Sequence, residues 1–547
     1  MSETLKIKAL VKGETKALSL KPEEAGEPIT RALRHRDLAL NTRCGGKGLC
    51  DGCMVELTEG KLTHIPSGRA VEPGAEGSVT VRGCEHRADR GPVAITIPGR
   101  SLLAHAPQVV SNFKIRVPWA HNPLWRGDEA GRAGGTGGPP LGFAVDVGTT
   151  TVALMLVDLD SGRVLAKASA FNKQMRYGDD VLTRINLCGT NEGMLGKLQR
   201  AVTRHTIVPL VDEALDRAGA SVEQVVCYAV AANTTMLHLL AGVDPTPMGV
   251  APFTAPFLEH RALAAGSIGL PGDAEAHLLP GAAAYVGADL VAGSLATGQA
   301  YNEQTTLLVD VGTNGEIILR HAGHLTGCAT AAGPAFEGAR LASGMRAADG
   351  AIERIDFAGS PPDPVLQAIG GVEPAGVCGS GYLDFLAAGR RADLLTHAGR
   401  FNGDHERFVA TPHGRSMRLA DHNGQTVAVT ESDVASLLQA KAAIGAGIVT
   451  LLGRLGLTTD DVRRLYLAGG FGMHINPANA VACGLLPGFN PDIIEPVGNT
   501  SLAGAYLALL DRGVLEELKH IAQSVELVEL NLEPEFEMNF IEHLSLP

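Results

Sequence analysis

Residues 143–151 read Phe143-Ala144-Val145-Asp146-Val147-Gly148-Thr149-Thr150-Thr151, and residues 307–315 read Leu307-Leu308-Val309-Asp310-Val311-Gly312-Thr313-Asn314-Gly315. In each, an apolar strand ends in an aspartate, turns through Gly-Thr and returns as a second strand, over 152–157 or 316–319. Each then meets a glycine turn, at Ser161-Gly162 and Ala322-Gly323. So long a repeat implies two related halves facing each other across a cleft. An aspartate at the carboxyl end of a strand, beside glycine and hydroxyl residues, suits a magnesium–phosphate site. Glycine admits phosphate oxygens to the backbone, N–H groups and threonine hydroxyls donate to them, and the carboxylate holds hydrated Mg2+. One Asp-x-Gly turn would mean little; two matched copies can grip a triphosphate from both sides. The candidates are Asp146, Gly148, Thr149 and Thr150 in the first loop and Asp310, Gly312, Thr313, Asn314 and Gly315 in the second, with Asp146 and Asp310 as the catalytic carboxylates.

A third element lies further on. A strand over 462–467 runs into Ala468-Gly469-Gly470-Phe471-Gly472, where absent side chains would let a nucleoside lie against the backbone. A glycine-rich turn serving only close packing is the alternative. Asn233, in Ala232-Asn233-Thr234-Thr235, and Glu337 and Ser380, in glycine-rich segments, could each line the cleft or simply cap a helix, while Asp289 and Glu431 read as surface or capping carboxylates and are assigned nothing. From Leu141 onward strands alternate with long helices, the pattern of an α/β module, divided into halves 141–304 and 305–547.

Residues 1–98 read as a small α+β domain. Residues 5–10 alternate with period two, 16–20 offer a second strand, 29–36 a short helix, and 54–57 and 93–98 further β-rich runs. Cys44, Cys50 and Cys53 share one glycine-rich loop and Cys84 returns later. Three close cysteines and one distant resemble the plant-type ferredoxin layout, with five rather than four residues between the first two, so a [2Fe–2S] cluster is expected. Structural zinc is the alternative, although only Cys50 and Cys53 form the short pair that zinc favours. The other five cysteines are scattered singly and read as buried thiols. Between the two regions, 99–140 is a linker whose tail from His121, rich in glycine and proline, is expected to be flexible.

The chain has 547 residues, 67 of them glycine, and a net charge of −13, which argues against a broad nucleic-acid surface. Residues 1–98 carry 15 basic and 13 acidic side chains, so the remainder holds the excess. The N-terminus lacks the apolar core of a signal peptide. The longest uncharged apolar stretch, 442–453, is too short to span a bilayer and reads as a buried helix. A reducing, cytoplasmic setting without membrane contact is expected.

Taken together, Asp146-Val-Gly-Thr-Thr and Asp310-Val-Gly-Thr-Asn-Gly resemble the two phosphate loops of the actin, sugar-kinase and heat-shock-chaperone ATPases, and Ala468-Gly-Gly-Phe-Gly is similar to their adenosine loop. Such a module behind a β-grasp-like ferredoxin domain and a linker resembles the reductive activators of corrinoid proteins. The resemblance implies that Cys44, Cys50, Cys53 and Cys84 hold the cluster and that both aspartate loops bind Mg-ATP. It also implies that the partners are a corrinoid protein and a low-potential donor such as a ferredoxin or flavoprotein, and that the chain is cytoplasmic and often dimeric. The implied activity is ATP-dependent reduction of inactive Co(II) cobalamin to Co(I) for a methyltransferase or methionine synthase. No Asp-x-His-x-x-Gly motif for a cobalt-ligating histidine is present, so the cobalamin belongs to the partner. The main rival is a small-molecule kinase of the same superfamily with a redox-sensing ferredoxin domain. The activators of acyl-CoA dehydratases lack the cysteine-bearing domain, and a chaperone-like module would move no electron.

Overall fold

The structure, a computed structural model, describes residues 5–11, 14–20, 26–34, 36, 38, 40, 48, 53–74, 77–88, 91–97, 101, 113–125, 138–411, 414–422, 425–470 and 472–547. The chain divides into two compact units, 1–105 with 335–437 and 106–334 with 438–547.

In the first unit, the strands β1 (Leu5–Val11), β2 (Glu14–Leu20), β3 (Met54–Glu59), β4 (Val79–Arg82) and β5 (Val93–Ile97) form one sheet in the order β2-β1-β5-β3-β4. β1 and β5 run parallel and the other pairs antiparallel. Alternation sorts the faces: Ile7 and Ala9 point into a core shared with Val55, Leu57, Ile95 and Leu33 of helix α1 (Ile29–Arg34), while Lys6 and Lys8 stay in water. Residues 335–437 add two three-stranded sheets and a buried helix, Gly379–Arg391.

The second unit holds two six-stranded sheets of matching design. The first runs β8-β7-β6-β9-β11-β10, from β6 (Leu141–Val147), β7 (Thr151–Asp158), β8 (Val164–Phe171), β9 (Val225–Ala232), β10 (Arg261–Ala264) and β11 (Glu275–Leu278). The second runs β16-β15-β12-β13-β14-β17, from β12 (Thr306–Val311), β13 (Gly315–His321), β14 (His324–Thr330), β15 (Arg464–Ala468), β16 (Ile494–Gly498) and β17 (Val525–Leu527). Each opens with an antiparallel three-strand meander, and each adds two further strands in parallel beside the first. The repeat seen in the sequence is thus a repeat of topology. β6 is buried along its whole length except at Asp146, as expected of a central strand covered on both faces.

Helices α2 (Val181–Thr190), α3 (Thr234–Ala241), α4 (Ala288–Ala296) and α6 (Thr500–Leu510) belong to this unit. α4 and α6 cross in close contact: a Cβ on Gly504 would lie 2.4 Å from the Cβ of Ala292, and one on Gly293 2.7 Å from the Thr500 hydroxyl. α5 (Glu431–Arg454) is long and apolar enough to cross a membrane by length and composition, yet most of it is buried in the protein.

The described part of the linker, 113–125, runs along this unit as a strap. Arg116 N–H donates to the Ala296 carbonyl at the end of α4 (2.9 Å), and Asn122 and Leu124 N–H donate to the Leu510 and Leu509 carbonyls at the end of α6 (2.9 Å each). Ala120 N–H donates to the Asp511 carboxylate (2.8 Å), and Lys114 and Arg116 pair with Glu495. The flexible run expected from His121 is therefore anchored as far as Leu124. Residues 126–137 lie outside the described residues.

Candidate functional site

Asp146 and Asp310 occupy equivalent places, the penultimate residues of β6 and β12. The two loops face each other closely enough that Asp310 feels the charges of both Asp146 and Asp289. Asp146 accepts from Asn499 Nδ2 and Ser501 Oγ, both at 2.8 Å, from the start of α6. Burial raises its pKa, and these two hydrogen bonds oppose the rise. Asp310 is pushed up to about 7 by burial and by its two carboxylate neighbours.

Two further carboxylates complete the group. Glu316 stands directly opposite Asp310 in the β12–β13 ladder, where cross-strand Cβ atoms are about 5 Å apart and like charges repel. Burial, then the charges of Asp289 and Asp310, hold its carboxyl well above the usual range. Asp289, in the first turn of α4, is pushed up to about 7, mainly by burial. Its carboxylate accepts the Leu290 N–H at 2.9 Å.

Three helices begin beside the first loop. Asn233 caps α3 by accepting the Met236 N–H at 2.9 Å and donates to the Thr149 hydroxyl at 3.0 Å. Gly287 caps α4 so close to Asn233 that a Cβ would sit 2.6 Å from the Asn233 Cα. Asn499 caps α6. Helix N-termini favour anions, whereas buried carboxylates favour a cation. The arrangement therefore suits an anion and a cation bound side by side, as in a metal–phosphate complex. Among the described residues, no group of three or more His, Cys, Asp or Glu side chains is gathered tightly enough to hold a bare metal ion. A cation here would keep part of its water shell, as Mg2+ does.

The third expected element also reaches this place. Gly469, with φ +90°, turns under Asp310, and a Cβ there would lie 2.5 Å from the Asp310 carboxylate. Gly470 faces open space, with nothing within 4 Å of where a Cβ would stand. Gly472 packs on Leu467, and Phe471 lies outside the described residues. In the second loop, Gly312 N–H donates to the Asn314 carbonyl at 3.0 Å, and Gly315 lies against Ile444 of α5.

In the first unit, Cys53 and Cys84 are both buried, one just before β3 and the other just after β4. Gly83 N–H donates to the Cys53 carbonyl at 2.9 Å, tying the residue before β3 to the residues after β4. Two buried cysteines whose flanking backbone is tied together in this way fit half of a four-cysteine site. Cys44 and Cys50 lie outside the described residues.

The sequence reading missed Asp289, Glu316, Asn499 and Ser501, and it missed Asn172, Gln174 and Arg184 behind the first loop. Glu316 had a signal, since it directly follows the glycine that closes the second loop. Glu337 and Ser380 belong to the first unit.

Comparison with known proteins gives this site its context. Residues 141–301 match the family described as the RACo middle region, and 304–547 match the C-terminal domain of RACo, the ASKHA domain. The corrinoid activation enzyme RamQ of Eubacterium limosum is 31% identical over 409 residues, covering 71% of this chain and 68% of that protein. The [Co(II) methylated amine-specific corrinoid protein] reductase of Methanosarcina barkeri is 29% identical over 260 residues, covering 44% and 45%. A solved reductive activator for a corrinoid, iron-sulfur protein superposes with a TM-score of 0.72 at 29% identity, covering 99% of this chain and 98% of that one. The matching loops, the paired sheets and these relatives lead to one conclusion: the chain belongs to the reductive activators of corrinoid proteins, built on an actin-like ATPase fold.

Proposed function

We propose that this chain reactivates a corrinoid protein by delivering one electron to its Co(II) centre, giving Co(I), in a reaction driven by Mg-ATP bound between the two aspartate loops. The observation that supports this reading most directly is the gathering of Asp146, Asp289, Asp310 and Glu316 beside three helix N-termini, in a chain that also carries the four-cysteine pattern. Cys44, Cys50, Cys53 and Cys84 would hold the [2Fe–2S] group. When bound, that group supplies a one-electron donor near about −400 mV, itself reloaded by an external low-potential donor.

Reduction to Co(I) is harder than that. For one electron, a gap of about 120 mV is about a hundredfold in equilibrium, or roughly 2.7 kcal/mol. Coupling between sites is typically ~1–3 kcal/mol, so a nucleotide-dependent change in partner binding covers most of the gap. The carboxylates orient hydrated Mg2+, the loop N–H groups and threonine hydroxyls bind the phosphates, and Gly469 and Gly470 leave room for the nucleoside.

The test is anaerobic. Reduced protein is mixed with a Co(II) corrinoid protein, with and without ATP, and Co(I) absorption is followed. Formation of Co(I) that depends on ATP supports the reading, and its absence with every natural partner overturns it. Asp310→Asn is expected to abolish the ATP dependence while leaving the visible spectrum of the iron–sulfur group unchanged.

A further inference from the structure

The interior behind the first loop holds an unusual set of polar side chains. Arg184, on α2, is fully buried, as are Asn172 and Gln174. The Arg184 guanidinium donates to the Thr149 carbonyl (2.6 Å), to Gln174 Oε1 (2.9 Å), to the Gly178 carbonyl (3.0 Å) and to the Met236 sulfur (3.3 Å). Asn172 Nδ2 donates to the Gly148 carbonyl (2.9 Å), and its backbone N–H donates to the Thr150 carbonyl (2.8 Å). Gln174 is fixed in turn, donating to the Leu198 carbonyl (3.0 Å) and accepting from Asn172 Nδ2 (3.2 Å).

Three consecutive carbonyls, those of Gly148, Thr149 and Thr150, are thus drawn inward by donors behind them. A trans peptide is planar, with its C=O and N–H pointing in opposite directions. Holding the Gly148 and Thr149 carbonyls inward therefore turns the Thr149 and Thr150 N–H groups outward. Among the described residues, neither N–H has a protein acceptor, whereas the Gly148 N–H is used within the loop, donating to the Thr151 carbonyl at 2.9 Å. Successive outward N–H groups form an anion-binding nest, and a guanidinium buried directly behind it adds positive potential where dielectric screening is weak.

We propose that Arg184 is a positioning residue for the polyphosphate: it never touches the ligand, but locks the first loop with its N–H groups facing the phosphates. This rests on the nucleotide reading above and adds the residue that makes the first loop competent. A role confined to stability would affect all ligands alike, whereas a role in aiming N–H groups affects only those with phosphates.

The experiment uses the full chain with Arg184→Lys and Arg184→Gln, measuring binding of ATP, ADP, inorganic tripolyphosphate and adenosine, and ATP hydrolysis. Charge-assisted hydrogen bonds of this kind set the scale. Both variants are expected to bind ATP, ADP and tripolyphosphate about tenfold or more weakly, with Lys the milder, while adenosine binds as before. KM for ATP rises more than kcat falls. Unaltered binding of tripolyphosphate, or an equal loss for adenosine, would overturn the proposal. Should a variant not fold, the unaltered chain decides by amide hydrogen exchange. Slowing at Thr149 and Thr150 by tripolyphosphate supports the proposal, and exchange unaffected by it overturns it. Failure of the unaltered chain to bind ATP at all would sink the nucleotide reading as well, which separates the two.

Discussion

Asp289, Asp310 and Glu316 all keep their protons to higher pH than an ordinary carboxyl, because burial and mutual repulsion penalise each added negative charge. The sign of the consequence follows from linkage. Burial and the nearby Asp146 charge push Asp289 up to about 7 in the folded chain, against about 3.9 when unfolded. Between those values the folded state binds the proton that the unfolded state has lost, so stability falls as pH rises through the window. Without nucleotide or Mg2+, Asp289→Asn is expected to melt progressively higher than the unaltered chain as pH goes from about 4 to 7, with the difference levelling above that. A difference that does not change with pH would contradict the assignment. Glu316→Gln removes one member of the opposed Asp310–Glu316 pair. It is expected to raise the melting temperature of the nucleotide-free chain and to slow ATP hydrolysis, both measurable on one preparation. Residues at this scale were legible only where chemistry is written in a local motif. Asp146 and Asp310 announce themselves through the Gly-Thr that follows. Asp289 does not, because its neighbours in space come from strands more than 100 residues distant on one side and about 20 on the other.

At the level of elements, the repeat around Asp146 and Asp310 was readable, and each copy became the opening meander of a sheet. The parallel additions were not readable as a pair. In the first sheet β9 follows β8 after 53 residues, while in the second β15 follows β14 only after 133 residues. Much of that longer gap, 335–437, belongs to the other unit. The α4–α6 crossing left no periodic trace, since a helix buried on every side has no polar stripe to betray its packing. Its small residues are the test. Gly504→Ala places a Cβ at 2.4 Å from that of Ala292 and 2.8 Å from its Cα, contacts that only a shift of one helix relieves. Overpacking of this sort costs about 1–3 kcal/mol. Denaturant unfolding should show the loss, and ATP binding should weaken with it because Asn499 and Ser501 start the helix that moves.

For the whole molecule, the strap 113–125 matters most. The glycine- and proline-rich tail from His121 reads as free chain, and nothing local marks Arg116, Ala120, Asn122 and Leu124 as partners of α4 and of the C-terminal region. Those contacts are long-range, and backbone N–H groups make many of them, so no local pattern in the sequence could carry them. Asp511→Ala combined with Glu495→Gln removes the acceptor of the Ala120 N–H and the carboxylate that pairs with Lys114 and Arg116. Limited proteolysis of that variant is expected to cut within 113–125 more readily than in the unaltered chain. Its ATP hydrolysis should persist while the ATP-dependent gain in Co(I) formation shrinks. Equal protease resistance would show that the backbone contacts alone hold the strap.

The strap hangs from the same two helices whose first residues attend the carboxylates, and that gives their crossing a mechanical meaning. α6 has 11 residues, a rod of roughly 16 Å, and Gly504 lies near its middle. With no Cβ to hold the axes apart, the crossing sets the closest approach of the two helices, so a tilt of α6 about it would act as a see-saw does about its fulcrum. A tilt of about 10° carries each end roughly 1.4 Å, in opposite senses. Whatever draws Asn499 and Ser501 toward or away from Asp146 is thereby repeated, with its direction reversed, at the Leu509 and Leu510 carbonyls that carry the strap.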